Sequence, residues 1–333
     1  MRGGVQPREN LSMGTVGNLP PGRIRIGVIG AGAVGSTIAY VAMIRGIAHE
    51  LVLVDALPHK AEAEARDLMH GSMFIPAVTV TSGTVEDCAG AAIVVITAGA
   101  KQKPGQSRLQ LVETNVATFR KLIPRVLAAA PNAILLIVSN PVDVLTYVSL
   151  KLSGLPSSRV FGSGTVLDTS RFRFLLAQRL NVAAANVHAY IVGEHGDSEV
   201  PLWSSVHIAA TALELFSSPN VPPLTESDRE EIFRNVRDAA AQVIAAKGAT
   251  NWAVGLAVER ILEVILRDEQ AILTVSSLLQ EYHGISDVCV SVPSIVGRGG
   301  VRETLPLHIS DDELALLRRS AGILRDIAGR LGF

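Results

Sequence analysis

Residues 24–35 decide the fold, and they read I-R-I-G-V-I-G-A-G-A-V-G. The first six residues are mostly β-branched and apolar, which is typical of a parallel strand covered on both faces. Three glycines follow at Gly30, Gly32 and Gly35, and residues 34–46 then carry apolar side chains at helical spacing. The stretch therefore predicts a strand, a tight glycine turn and a helix in direct succession.

The glycine turn predicts a dinucleotide site. The first glycine permits the tight turn, the second lets the backbone approach a pyrophosphate, and the third allows the helix to pack closely. Asp55 ends the next predicted strand, where a carboxylate binds both ribose hydroxyls and repels a 2′-phosphate, so NAD is favoured over NADP. Lys60 either contacts the ribose or a phosphate, or is a solvated lysine on a helix.

Short apolar runs alternate with helical stretches through the first half of the chain. The runs occupy 25–29, 51–54, 78–81, 93–97 and 134–138, and the two clearest helical stretches are 34–46 and 109–130. This alternation predicts an α/β fold with a doubly wound parallel sheet. Pro124 is expected to kink or break the second helix, because proline lacks a backbone N–H.

The pattern changes after about residue 165. Predicted helices at 167–180, 229–247, 252–266 and 311–331 flank strand-like runs at 271–276 and 288–292. We therefore expect a dinucleotide-binding domain over 23–164 and a C-terminal mixed α+β substrate domain over 165–333. Residues 1–22 contain no apolar core of the kind a secretory signal requires, and we expect them to form a flexible extension.

Composition narrows the partners to small molecules. The formal net charge of the 333 residues is −1, which offers no positive field for nucleic acid or anionic lipid. The apolar runs are too short to cross a bilayer. Cys88 and Cys289 have neither metal nor disulfide spacing, so a reducing compartment, the cytoplasm, is expected.

Three segments carry groups suited to chemistry. His195 lies between Gly193 and Gly196, where the backbone can turn sharply and present an imidazole to a cleft. Asp168 and Arg171 are three apart in a predicted helix, so they form either an ordinary ion pair or a joint ligand site. Residues 97–108 follow a strand and end at Arg108, which predicts either a mobile lid over a substrate or a solvated surface loop.

Six segments, in chain order, resemble the L-lactate/malate dehydrogenase family: G-A-G-A-V-G, T-A-G-A-K-Q-K-P-G-Q-S-R, V-S-N-P-V-D, L-D-T-S-R-F-R, G-E-H-G-D and K-G-A-T-N-W-A. The resemblance runs from about residue 23 to the C-terminus, and it implies a Rossmann-type NAD-binding domain. It implies His195 as proton donor and acceptor, Asp168 as its partner, Arg171 as carboxylate clamp and Arg108 as polariser of the carbonyl. It further implies that Asn140 contacts substrate and cofactor, that Thr250 lines the substrate pocket, and that Val34, Gly99, Ala100, Val138 and Ser163 approach NAD.

The resemblance implies reversible hydride transfer between NADH and a 2-keto acid, with His195 as acid and base. Gln102 is the discriminating position, because malate-type members usually carry arginine there. A second substrate carboxylate buried without a countercharge costs about 2–5 kcal/mol, so pyruvate and L-lactate are favoured, as in glycolysis and pyruvate fermentation. A malate or other 2-hydroxy-acid dehydrogenase is the alternative. A non-catalytic NAD-binding regulator is more distant, since it would not need His195, Asp168, Arg171 and Arg108 together.

The expectations about regulation and subunit assembly rest only on the resemblance. Arg173 and His188 match positions that bind the activator in bacterial relatives activated by fructose 1,6-bisphosphate, across a subunit interface. This implies an allosteric enzyme, although an exposed arginine and an unrelated strand histidine are the alternative. The family also implies a homotetramer, to which helices near 34–44 and 252–266 could supply contacts.

Overall fold

The computed structural model describes residues 23–100 and 108–333, without the side chain of Arg108. The expectations for residues 1–22, for Gln102 and for the Arg108 side chain therefore lie outside the described residues.

The first half of the chain alternates strands and helices as predicted. Its elements are β1 (Arg25–Ile29), α1 (Ala33–Arg45), β2 (Glu50–Val54), α2 (Pro58–His70), β3 (Thr79–Gly83), β4 (Ile93–Ile96), α3 (Arg108–Ala129), β5 (Ile134–Ile137), α4 (Val142–Ser153) and β6 (Val160–Gly162). The strands pair in parallel in the order β3-β2-β1-β4-β5-β6. This is the Rossmann-type doubly wound order, which reverses between β1 and β4.

The second half supplies helices and antiparallel strands. Its elements are α5 (Val166–Leu180), β7 (Val187–His188), β8 (Ile191–Val192), β9 (Val200–Pro201), β10 (His207–Ile208), β11 (Thr211–Ala212), α6 (Glu226–Arg237), α7 (Ala239–Lys247), α8 (Trp252–Arg267), β12 (Ala271–Leu279), β13 (Val288–Gly297), β14 (Gly300–Thr304) and α9 (Asp311–Arg330). Strands β12, β13 and β14 are antiparallel and extend the first sheet, because Ser276 of β12 pairs with Gly162 of β6. One nine-stranded sheet thus runs through both halves.

Two apolar layers cover the sheet. Helices α1, α2 and α8 pack against one face, and α3, α4 and α9 pack against the other. The central strand β1 contributes side chains to both layers, since Ile26 and Val28 belong to the first and Ile29 to the second. Burial on both faces explains why the parallel strands are apolar at successive positions.

Helix α8 links the halves by packing on α1. A Cβ atom at Gly255 would stand 2.5 Å from Cγ2 of Thr37, so only glycine permits this approach. Asn251, just before α8, donates a side-chain hydrogen bond of 2.9 Å to Oγ1 of Thr37. The start of α8 is therefore fixed beside the helix that follows the glycine turn.

One predicted helix differs from the structure, and one of the two outcomes expected for another is absent. Pro124 is expected to kink or break its helix, and α3 continues through it, so the helix does not break there. Ile123 and Val126 are fully buried, and their packing offsets the cost of the missing hydrogen bond. The helix predicted over 229–247 is in fact two, α6 and α7, separated at Asp238. Aspartate favours helix caps over helix interiors.

Within the described residues, no helix is long and apolar enough to span a bilayer. The same residues contain no cluster of three or more histidine, cysteine or acidic side chains that could hold a metal ion.

Candidate active site

The glycine turn has the geometry that an anion cradle requires. Gly30 has φ +110°, which L side chains rarely adopt, and a Cβ atom there would stand 2.7 Å from the Ala98 nitrogen. A Cβ atom at Gly35 would stand 1.9 Å from the Gly30 oxygen, so this glycine lets α1 pack directly on the turn. At Gly32 the corresponding space is open, apart from Nζ of Lys60 at 4.0 Å. An anion placed there meets the start of α1 and one ammonium group.

Asp55 follows β2 and closes the turn. Its Oδ2 accepts a 2.8 Å hydrogen bond from the Ala31 N–H, and its Oδ1 accepts a 3.0 Å bond from the Leu57 N–H. A groove of about 1170 Å³ runs along the carboxyl ends of the parallel strands, lined among others by Gly30, Gly32, Asp55, Lys60, Thr97 and Gly99. The groove exceeds the roughly 300–1,000 Å³ typical of a drug-sized ligand, so the described residues fit a dinucleotide.

The groove reaches the end of β4, which is tied to the end of β5. Asn115 of α3 joins the two strand ends, because its Oδ1 accepts from the Ala100 N–H at 2.8 Å and its Nδ2 donates to the Asn140 oxygen at 2.9 Å. Gly99 lies against the Asn115 side chain. The predicted cofactor residues of β4 and the predicted substrate residue Asn140 are therefore held together.

The remaining predicted cofactor residues surround the same edge. Val34 is half-buried in the first turn of α1. Val138 follows β5 and its N–H donates to the Ile96 oxygen at 2.9 Å, whereas Ser163 follows β6 and its N–H donates to the Ile137 oxygen at 2.8 Å. Val138 and Ser163 follow the carboxyl ends of their strands, and Val34 lies in the first turn of the helix after β1, so all three lie at the edge of the sheet where ligands bind in this class of fold.

His195 lies on a loop between β8 and β9 that is fixed at three consecutive residues. Gly193 exchanges two backbone hydrogen bonds with Ser291 of β13, at 2.9 and 3.1 Å. The Glu194 N–H donates to Oγ of Ser320 at 2.8 Å, and the His195 N–H donates to Oδ2 of Asp143 at 2.8 Å. The imidazole thus stands on a rigid support.

Asp168 holds both His195 and Arg171. Its Oδ2 lies 2.5 Å from Nδ1 of His195, and its Oδ1 accepts a 2.6 Å hydrogen bond from Nη1 of Arg171. The Asp168 side chain is 3% exposed, while those of His195 and Arg171 are 24% and 16% exposed. The carboxylate is therefore sequestered, and the imidazole and guanidinium remain accessible to a small ligand.

The charges of this cluster support one another. Burial alone lowers the pKa of His195, but the negative charge of Asp168 and its hydrogen bond outweigh burial and raise the pKa to about 9. Burial alone raises the pKa of Asp168, but the positive charges of His195 and Arg171 outweigh it, and the net shift is downward. At neutral pH the imidazole therefore carries a proton beside an ionised carboxylate.

The three further predicted residues are Thr250, Arg173 and His188. Thr250 is half-buried between α7 and α8, next to the Asn251 that binds α1. Arg173 lies two residues beyond Arg171 on α5, and its Nε donates to the Ala189 oxygen at 2.8 Å. His188 is exposed on β7 and pairs with His207 of β10, so it is not part of the catalytic cluster.

A dinucleotide cradle in the same chain as a proton-carrying imidazole paired with a carboxylate and a guanidinium is typical of one class of protein, the nicotinamide-dependent oxidoreductases. Two family models narrow the class. Residues 24–162 match the NAD binding domain of lactate/malate dehydrogenase, and residues 165–330 match the alpha/beta C-terminal domain of the same family.

Relatives agree with these models. An L-lactate dehydrogenase of Bifidobacterium animalis subsp. lactis is 50% identical over 318 residues, 95% of this chain and 99% of the relative. That of Thermus aquaticus is 47% identical over 93% of this chain and all of its own. A crystal structure of a minor L-lactate dehydrogenase from Enterococcus mundtii matches with TM-score 0.89 and 42% identity, over 92% of this chain and 98% of that one.

The chain belongs to the lactate/malate dehydrogenase family. It is an NAD-dependent oxidoreductase.

Three polar residues of the site are not predicted from the sequence. Asn115 joins the ends of β4 and β5 from a helix that had no motif. Asp143 stands in the segment V-S-N-P-V-D, where the resemblance assigns roles only to Val138 and Asn140. Glu199 is buried near the cluster, and its Oε1 has no hydrogen-bond partner among the described residues. Burial, followed by the charge of Asp168, raises the pKa of Glu199 to about 9.

Proposed function

We propose that this chain catalyses the reversible reduction of pyruvate to L-lactate with NADH. One observation carries the proposal: Asp168 binds His195 and Arg171 at once, so that an acid and a carboxylate receptor face the same small space. The family and the names of the relatives, L-lactate dehydrogenases of several bacteria, support the substrate assignment.

Gly30, Gly32 and Asp55 would hold NADH, which when bound would supply the hydride for the keto carbon. Asp168 occupies Nδ1 of His195, so the proton that moves is the one on Nε2, and the ring donates it to the substrate oxygen. Arg171 donates one N–H to Asp168. Its guanidinium has further N–H donors, which can bind the substrate carboxylate in a bidentate pair. In the direction of oxidation, neutral His195 accepts the proton. We further propose that Asn140 and Thr250 line the substrate pocket and that Arg108 polarises the carbonyl.

The test is a substitution that removes the proton carrier. His195→Asn is expected to lower kcat for pyruvate reduction, followed at 340 nm, by about 10²- to 10⁴-fold. NADH binding, measured by fluorescence, should stay unchanged because the cradle is intact. His70→Asn, at the exposed end of α2, is the matched control and should keep full activity. A His195→Asn enzyme with normal turnover would refute the proposal.

We also propose that the enzyme is a homotetramer activated by fructose 1,6-bisphosphate through Arg173 and His188. The Arg173 guanidinium lies 4.9 Å from the centroid of the Tyr190 ring and lines a cavity of about 440 Å³. Exposed apolar side chains, Phe174 and Ile272, adjoin that cavity and favour coverage by another subunit. A cationic pair near a two-fold axis doubles to four donors for a bisphosphate.

Two smaller proposals concern the chain as a whole. We infer that the cofactor and substrate domains divide between residues 164 and 165, a boundary supported by family models that end at 162 and begin at 165. We infer a cytoplasmic location, supported by Cys88 and Cys289, which are both buried as free thiols.

A further inference from the structure

Asp143 is a buried carboxylate that the proposed mechanism does not use. It is the second residue of α4, three residues after Asn140, and it is 1% exposed. Its Oδ2 accepts the His195 N–H at 2.8 Å, and its Oδ1 accepts from Oγ of Ser291 at 3.4 Å. A buried carboxylate is costly unless it is paired, so its position requires an explanation.

We propose that Asp143 is a positioning residue, which ties the backbone of His195 to the turn that carries Asn140 and stabilises the protonated imidazole with a second negative charge. This inference rests on the proposed function and deepens it.

The mechanical part follows from the contacts of the His195 loop. Gly193 and Glu194 are bound by a backbone carbonyl and a hydroxyl, whereas His195 itself is bound by a carboxylate. Hydrogen bonds to charged groups are about twice as strong as neutral ones. The acceptor stands in the first turn of α4, where the helix dipole favours a negative charge. The Asn140 turn and the imidazole are therefore fixed relative to each other through one side chain.

The electrostatic part depends on the titratable groups, charged or neutral, that face His195 and Asp143. Helix α5 contributes Asp168 and Arg171, and the His195 loop contributes Glu194 and Glu199. Strand β13 contributes Cys289, whose pKa is raised by burial, so that the thiol is neutral.

Burial raises the pKa of Asp143 to about 6, although hydrogen bonds and the nearby His195 oppose that rise. Asp143 is consequently ionised at neutral pH, when Glu199 is protonated. At neutral pH Asp143 therefore adds a second negative charge to that of Asp168, and both charges raise the pKa of His195.

The first test separates charge from shape. Asp143→Asn keeps an oxygen acceptor for the His195 N–H but removes the charge. The pH at which kcat/KM for pyruvate falls on the alkaline side should therefore move down by about 0.5–1 unit. Asp143→Ala also removes the acceptor, and it should lower kcat by a further tenfold or so. Asp326→Asn, the same change at an exposed position of α9, should leave the profile in place. An Asp143→Asn profile equal to that of the unaltered enzyme overturns the proposal.

The second test needs no variant at position 143. In the unaltered enzyme labelled with ¹⁵N-histidine, the His195 amide resonance, assigned by its loss in His195→Asn, should titrate with an inflection near pH 6 as Asp143 gains a proton. An amide resonance without that inflection overturns the proposal. Failure of the enzyme to reduce pyruvate would reject the proposed function instead, and the resonance would still report on the link between Asp143 and His195.

Discussion

At the scale of the residue, the chemistry depends on how Asp168 sets the proton affinity of His195. Pyruvate reduction requires the imidazolium form, so kcat/KM should be constant below the pKa of about 9 and fall tenfold per pH unit above it. The oxidation of lactate requires neutral His195 and should rise over the same interval. The two opposite pH profiles come from a single group.

Asp168→Asn removes the charge that opposes burial, so the pKa of His195 should fall. The alkaline limit of pyruvate reduction should then move down by about one to three pH units, and kcat should decrease at every pH. Steady-state rates between pH 5 and 10 measure both effects. A variant with an unchanged limit would show that another group sets the proton affinity.

Substrate choice is a third prediction at this scale, and it rests on sequence alone because Gln102 lies outside the described residues. Gln102→Arg supplies a countercharge for a second carboxylate and should raise kcat/KM for oxaloacetate relative to pyruvate by about 30-fold or more. Gln102→Asn is the neutral control and should not favour oxaloacetate. Equal ratios of the two kcat/KM values in Gln102→Arg and the unaltered enzyme would contradict the prediction.

At the scale of the element, the contact between the β1 turn and α1 leaves no room for a side chain. Gly35→Ala forces the turn and the helix apart, because its Cβ would overlap the Gly30 oxygen. We expect a loss of stability of about 1–3 kcal/mol and weaker NADH binding, measured by urea unfolding and fluorescence titration. Gly322→Ala in α9 has no atom within 4 Å and should be neutral or stabilising by about 0.5–1 kcal/mol. Equal behaviour of the two variants would refute this account of the turn.

The sequence predicts those elements whose characteristic residues lie close together in the chain. The glycine turn, β1 and α5 follow from residues that are adjacent or one helical turn apart. Strand β6 was missed because it has only three residues, and the pairing of Ser276 with Gly162 joins positions more than one hundred residues apart. The same reason applies to the site. His195, Asp168 and Arg171 stand in recognisable segments, whereas Asn115 and Asp143 act through contacts that only the folded chain creates.

At the scale of the whole molecule, α1 and α8 leave apolar side chains exposed on neighbouring helices. Ile44 is 46% exposed and Leu256 is 51% exposed. If subunits meet there, light scattering should give about four times the chain mass of 35.2 kDa, and the double variant Ile44→Glu, Leu256→Glu should give a smaller species. Leu215→Glu, at an exposed leucine outside these helices, should not change the mass. A double variant of undiminished mass would exclude this face.

Activation belongs to the same scale, since it needs more than one subunit. Fructose 1,6-bisphosphate should lower the pyruvate concentration for half-saturation near neutral pH, by about 5- to 150-fold for a typical coupling energy. Arg173→Gln together with His188→Gln should abolish that shift and retain the activity without activator. Saturation curves of the unaltered enzyme that ignore the bisphosphate would rule out this regulation.

The continuous sheet restricts how the enzyme can move. Backbone hydrogen bonds connect β6 to β12. A hinge motion that separates the two halves would therefore break strand pairing in the middle of the sheet. The movement that admits substrate and releases product is therefore expected in the segments that connect strands, and not in the paired strands themselves.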